Sequence, residues 1–255
     1  MCISAEASIK SFGVNLVSCV ALLILGNPKL KVFNIVIVAF AFFTSLMQLV
    51  DLGMWKDLDG KKGIHRIASF AGPLLNYLQP VVLFFTAFYL LNFSKLGQKV
   101  EGKQFSLGKI GNKLLSQLDI RMKPGKPINF NKVLNLVYII CIILILTQYY
   151  KDKWPQEKYQ IAKVKEGHLK WNWYDRSKSH LVFSILYLIV AGLNFIGLGP
   201  RTPFSYVIFL VYYVALLIIR FTKSTHVGEI WCYAANSFPL ILLLLQTVFA
   251  KQLVN

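Results

Sequence analysis

Seven apolar runs, separated by polar and lysine-rich stretches, constrain this chain more than any other feature of it. A hydrocarbon core of about 30 Å is crossed by roughly 20 helical residues, and lipid offers no partner to a backbone group left unpaired. The runs fall at residues 4–25, 32–54, 67–93, 133–149, 181–198, 204–221 and 229–250. This pattern predicts an all-α, seven-helix transmembrane bundle, with residues 1–255 forming one integral membrane domain. The formal charge of +17 sits almost wholly between the runs, where Lys and Arg meet anionic headgroups. The lipid bilayer is therefore the expected partner, and nucleic acid is not. The first run has no basic region before it and no small-x-small cleavage site, so it is expected to remain as a helix. Cys2, Cys19, Cys141 and Cys232 lack C-x-x-C spacing, which argues against a disulfide framework or zinc ribbon.

Taken in order, the runs carry polar stripes. Ser4, Ser8, Ser11, Asn15 and Ser18 recur at three- and four-residue steps in the first, a pattern that suits close helix packing through small hydroxyls. The second closes with Thr44, Gln48, Asp51 and Trp55 on one face, the tryptophan at interface depth. The third contains Pro73 and Pro80 and a polar face of Ser69, Gly72, Asn76 and Gln79; its prolines leave backbone carbonyls without helical partners. Residues 93–132 form a basic linker in which Leu107, Ile110, Leu114, Leu118 and Met122 follow helical steps, predicting a basic amphipathic helix on a membrane surface. After the fourth run, Tyr159–Val164 can pair with Leu169–Tyr174 across Lys165–His168 as a small β-hairpin. The seventh run opens with Glu229, Cys232, Tyr233 and Asn236 on one helical face and contains Pro239.

Seven antiparallel crossings place the amino terminus and loops two–three, four–five and six–seven on one side. Glu6, Asp51, His65, Arg66, His180, Arg220, His226 and Glu229 map there, with Asn76, Gln79 and Asn236 deeper. Runs one, two, three and seven then form a polar funnel whose candidate ligand-binding residues are Glu6, Gln48, Asp51, Trp55, Asn76, Gln79, Glu229, Cys232 and Asn236. Acids at membrane depth pair inside the bundle, here with Arg66 or Arg220, or bind a solute, proton or ion. A zinc site built from His65, His180 and His226 is the metal alternative, although no H-E-x-x-H spacing supports it and no cofactor is expected. Basic residues divide fourteen to thirteen between the two sides, so the positive-inside count is a tie. The basic linker favours the anionic cytoplasmic leaflet, which puts the amino terminus outside or lumenal and the carboxyl terminus inside.

The opening Met1-Cys-Ile-Ser-Ala-Glu-Ala-Ser8, together with Gln48, Asp51 and Trp55 and the Gln79-Pro80 pair, resembles an uncharacterised family of multi-pass membrane proteins that open Met-Cys-x-x-x-x-x-Ser. Such proteins occur in large DNA viruses, algae and bacteria, and the resemblance covers mainly the first third of the chain. It implies seven helices and carries no activity. Among other seven-helix proteins, a retinal-binding reading fails because the last run has no lysine before Lys251. Ceramidase-like and adiponectin-receptor-like hydrolases need two close histidines in the last helix, and only His226 lies near it here. The expected function is binding of a small polar solute, ion or lipid headgroup, as in a transporter or sensor. A metal-dependent lipid hydrolase and a structural or membrane-shaping protein are the alternatives.

Overall fold

A computed structural model describes residues 4–98, 113, 116–122, 128–160, 163–165, 168–170, 178–198 and 227–248. Helix α1 spans Ala5–Leu25; the Ser4 hydroxyl caps it by accepting the Ala7 N–H at 3.1 Å. The Gly26-Asn27-Pro28 stop works as expected: the Asn27 side chain accepts the Lys29 N–H at 2.9 Å, and Pro28 opens a single 3₁₀ turn, Pro28–Leu30. Helix α2 follows at Lys31–Lys56 and α3 at Ile64–Phe93. The short α4 is Lys95–Gln98, and α5 is Phe130–Gln148, continuing as a π-helical turn over Tyr149–Lys153. After one helical turn, α6 at Glu157–Gln160, two strands pair antiparallel, β1 at Lys163–Lys165 and β2 at His168–Lys170, with Val164 opposite Leu169. Tyr159 and Gln160 therefore belong to α6 and not to the strand in which the sequence placed them. Helices α7, Lys178–Leu198, and α8, Val227–Val248, complete the described elements. The sixth apolar run, residues 204–221, lies outside the described residues.

Four helical stretches, Ala5–Leu25, Pro28–Lys56, Ile64–Phe93 and Phe130–Lys153, are long and apolar enough to cross a membrane, which fits a membrane protein. Helix α2 is the central one. It packs against α1, α3 and α8, and 56% of its span is buried against 28% for α1. Helix α7 packs on both α3 and α5. The main apolar core joins Leu22, Ile37, Phe40, Leu83, Phe195 and Leu242, drawn from α1, α2, α3, α7 and α8. We call the end of the bundle where α1 and α3 begin the near end, and the opposite one the far end.

Both prolines of α3 sit inside one continuous helix, and side chains of neighbouring helices donate to carbonyls at or beside them. Pro73 has no N–H for the Ser69 carbonyl, which instead accepts the Tyr149 hydroxyl at 3.2 Å, while Tyr150 donates to the Phe70 carbonyl at 2.7 Å. One layer deeper, beside Pro80, the Tyr138 hydroxyl reaches the Tyr77 carbonyl at 2.9 Å. The Pro80 carbonyl itself accepts from Asn194 at 3.3 Å, and Asn194 exchanges two amide hydrogen bonds with Asn135, at 2.8 and 2.9 Å. In α8 the Asn236 carbonyl, three residues before Pro239, accepts from Asn15 at 3.0 Å.

The linker differs from its expected form. Ser116–Leu118 is helical, but Asp119–Met122 leaves the helix and enters the far end, where Ile120 is fully buried in the main core. The carbonyls of Leu118, Asp119, Ile120 and Arg121 accept in turn from Asn131, Asn129, Asn92 and Lys132. Met122 consequently stands half exposed, off the apolar face assigned to it, because the backbone of this segment pairs with side chains of α3 and α5 and their flanks. Leu107, Ile110 and Leu114 lie outside the described residues.

Candidate functional site

At the near end the α2–α3 connection is a tight, self-capped loop. Gly60 and Gly63 take positive φ of 71° and 72°, a conformation that glycine adopts without a Cβ clash. Gly63 offers no side chain to cap α3, so Asp57 does so from six residues back. Its two carboxylate oxygens accept the Lys62 N–H at 2.8 Å and the His65 N–H at 3.0 Å. Burial pushes the Asp57 carboxyl up; the backbone N–H groups of Lys62, His65 and Ile64, aided by the charge of His65, overcome it and hold the carboxyl below its ordinary value.

His65 itself is 2% exposed, and neither ring nitrogen has a hydrogen-bond partner among the described residues. The near-end cluster packs Met47, Met54 and Ala68 with Tyr149 and Leu169, so β2 rests on the end of α2. Trp55 is half-buried in the same cluster, still within the last turn of α2.

The candidate residues separate into four groups. Gln48 and Asp51 have no exposed surface; they sit one turn apart on the inward face of α2. Across α1 the buried Ser8, Ser11, Asn15 and Ser18 form the stripe seen in the sequence, and Asn236 of α8 donates to Ser11 Oγ at 2.7 Å. The Asn236 Oδ1 atom is buried without a partner among the described residues. Gln79 is buried but belongs elsewhere: it accepts from the Tyr187 hydroxyl of α7, and it lies ten residues beyond Ser69 along α3, roughly 15 Å by helical rise. Asn76 is half-buried.

Two expectations are corrected. Glu6 does not enter the funnel. It stands 74% exposed on the outer face of α1 and pairs with Lys10 one turn on, because the inward face at that level is taken by the serine stripe. Arg66 is exposed and lays its guanidinium over the Trp154 ring, 5.1 Å from the centroid, so it is turned outward and not toward Asp51. For the metal alternative, the described residues contain no group of three His, Cys, Asp or Glu able to hold an ion. His226, Cys2 and Arg220 fall outside the described residues, as do the side chains of His180, Glu229 and Cys232.

Sequence reading missed the bonds that tie the bundle together. Gln246 of α8 exchanges amide hydrogen bonds with Asn34, at 2.7 and 3.4 Å, and accepts the Asn27 N–H at 2.8 Å. Asn131, Asn135 and Asn194 were also missed. Asn131 and Asn135 stand one turn apart in one helix and bond each other, while Asn194 is an amide inside an apolar run; amides in or beside apolar runs were the available signal.

The class defined by this fold is a helical protein with several helices fit to span a membrane and a polar layer enclosed near one end. No protein-family model, curated protein or solved structure matches the chain.

Proposed function

We propose that this is a seven-crossing integral membrane protein whose near-end polar layer binds a small polar solute, ion or lipid headgroup, as a transporter or sensor does. The observation that carries the reading is Asp51, a carboxylate with no exposed surface inside the central helix, one turn from the equally buried Gln48. An acid at such depth is costly in lipid and is kept where it serves an ion, a proton or a polar ligand.

Helix directions support the crossing number. Ser11 and Asn27 of the α1 region meet Asn236 and Gln246 of α8, so α1 and α8 run the same way. Tyr77 and Pro80 of α3 meet Phe183 and Asn194 of α7, so these are parallel too. Helices α7 and α8 thus share one direction. The chain between them has to return across the bundle, and the apolar run 204–221 is what the sequence provides for that return. On this reading β1 and β2 lie over the mouth of the polar layer.

The test is thermal stability of detergent-purified protein across a panel of monovalent and divalent cations, small polar solutes and pH. A stabiliser of the wild type that loses its effect on Asp51→Asn is the expected result. If no member of the panel shifts the wild type, and Asp51→Leu is as stable as wild type, the acid is packing and the reading fails. The hydrolase alternative rests on the buried imidazole of His65, which has no hydrogen-bond partner among the described residues. Stoichiometric zinc in the wild type, lost on His65→Ala with His226→Ala, would replace solute binding by metal-assisted lipid hydrolysis.

A further inference from the structure

We infer that the far end of the bundle is a docking surface for anionic lipid headgroups, and that it sets the orientation of the protein. The inference rests on the membrane-spanning reading above but not on the polar layer.

Charge is distributed unevenly between the two ends. Among the described residues, the far end carries the cations Lys29, Lys31, Lys95, Lys113, Arg121 and Lys132 against one acid, Asp119. That acid is turned inward on its own loop, accepting the Arg121 N–H at 3.0 Å. The near end has more cations in its described loops, but mixes them with Asp57, Asp59, Asp152 and Glu157. Over the whole sequence, the seven-crossing reading gives the far-end loops thirteen basic and two acidic residues and the near-end loops fourteen basic and six acidic, so the tie in basic residues conceals an imbalance that arises from the acids. Lys29, Lys31, Lys95 and Lys113 are exposed.

Apolar side chains accompany the cations outside the membrane-spanning helices. Leu96, Met122 and Ile128 are 37%, 50% and 74% exposed, beside Phe93 and Phe130 at the helix ends. Exposed apolar groups next to exposed lysines suit one environment, the boundary between acyl chains and headgroups. The surface is also built to hold its shape: Asn131, Asn129, Asn92 and Lys132 tie the Leu118–Arg121 carbonyls to the ends of α3 and α5. Gly197 of α7 lets this segment approach, since a Cβ there would fall inside contact distance of the Leu118 carbonyl oxygen. Exposed cations together with exposed apolar groups match a leaflet rich in anionic phospholipid. The far end, where α8 finishes, then faces the cytoplasm.

The experiment uses the full chain in phosphatidylcholine bilayers doped with spin-labelled phosphatidylserine or spin-labelled phosphatidylcholine. Electron spin resonance reads the association of each with the protein surface. The expected result is severalfold selectivity for phosphatidylserine, weakened by salt. It should fall toward unity in Lys29→Gln, Lys31→Gln, Lys95→Gln and survive in the near-end control Lys61→Gln, Lys62→Gln. Equal association of the two lipids, or selectivity lost in the near-end variant alone, overturns the inference. Absence of a motionally restricted component for either lipid overturns the membrane-spanning reading instead.

Discussion

Asp57 shows how much a single side chain can organise here. Its carboxylate closes the seven-residue loop onto the start of α3, substituting for the cap that Gly63 cannot supply. Because backbone donors hold its folded pKa below the unfolded value of about 3.9, its contribution is present in full above that pH and is lost as pH falls through the folded value. Melting curves of wild type and Asp57→Ala should therefore differ at neutral pH and converge below about pH 4. A gap that stays constant into acid would mean that the carboxylate is not the capping group. His65 behaves oppositely. Its ring makes no hydrogen bond among the described residues, so His65→Leu should cost little stability, whereas loss of a bonded buried imidazole would cost about 1–3 kcal/mol. Neither behaviour is legible in the sequence, where Asp57 and His65 are two polar residues of a charged loop. The roles appear only once the two glycines fold the loop back on itself.

At the scale of elements, the fold is held by hydroxyls and amides placed against proline-opened turns. Tyr149→Phe should lower stability by about 1 kcal/mol, the size of an interhelical hydrogen bond in a membrane protein. The cost should drop to roughly a few tenths in a Pro73→Ala background, because the restored N–H at position 73 returns the Ser69 carbonyl to its own helix. A double-mutant cycle measured by thermal unfolding separates this from simple loss of packing. Gly197→Ala should destabilise by about 1–3 kcal/mol, as overpacking does, by pushing the Leu118–Arg121 segment from the far end. Gly13→Ala, which meets nothing within 4 Å, is its neutral control. Limited proteolysis between residues 99 and 128 would report the displacement. The prolines and the polar stripe of α1 were legible as one-dimensional patterns. Their partners were not, since Tyr149 lies eighty residues from Ser69, and Asn236 lies 225 residues from Ser11.

For the whole molecule, parallel α1, α3, α7 and α8 with antiparallel α2 and α5 yield a topology that labelling can check. Single cysteines at Lys62 and Lys95, in a background lacking the native cysteines, should react with impermeant maleimide from opposite sides of the membrane. Reaction of both from one side would break the assignment of near and far ends. Length, hydropathy and helix-stop residues marked by themselves the four helices that are long and apolar enough to cross a membrane, because lipid forces every backbone group into its own helix and makes span length a property of local sequence. The tertiary structure alone decided which polar residues meet. It buried Gln48 and Asp51 in the central helix, sent Gln79 to α7, and left Glu6 and Arg66 outside. Helical periodicity puts side chains on a face but does not say which neighbour that face meets. That choice follows from packing between helices distant in the chain.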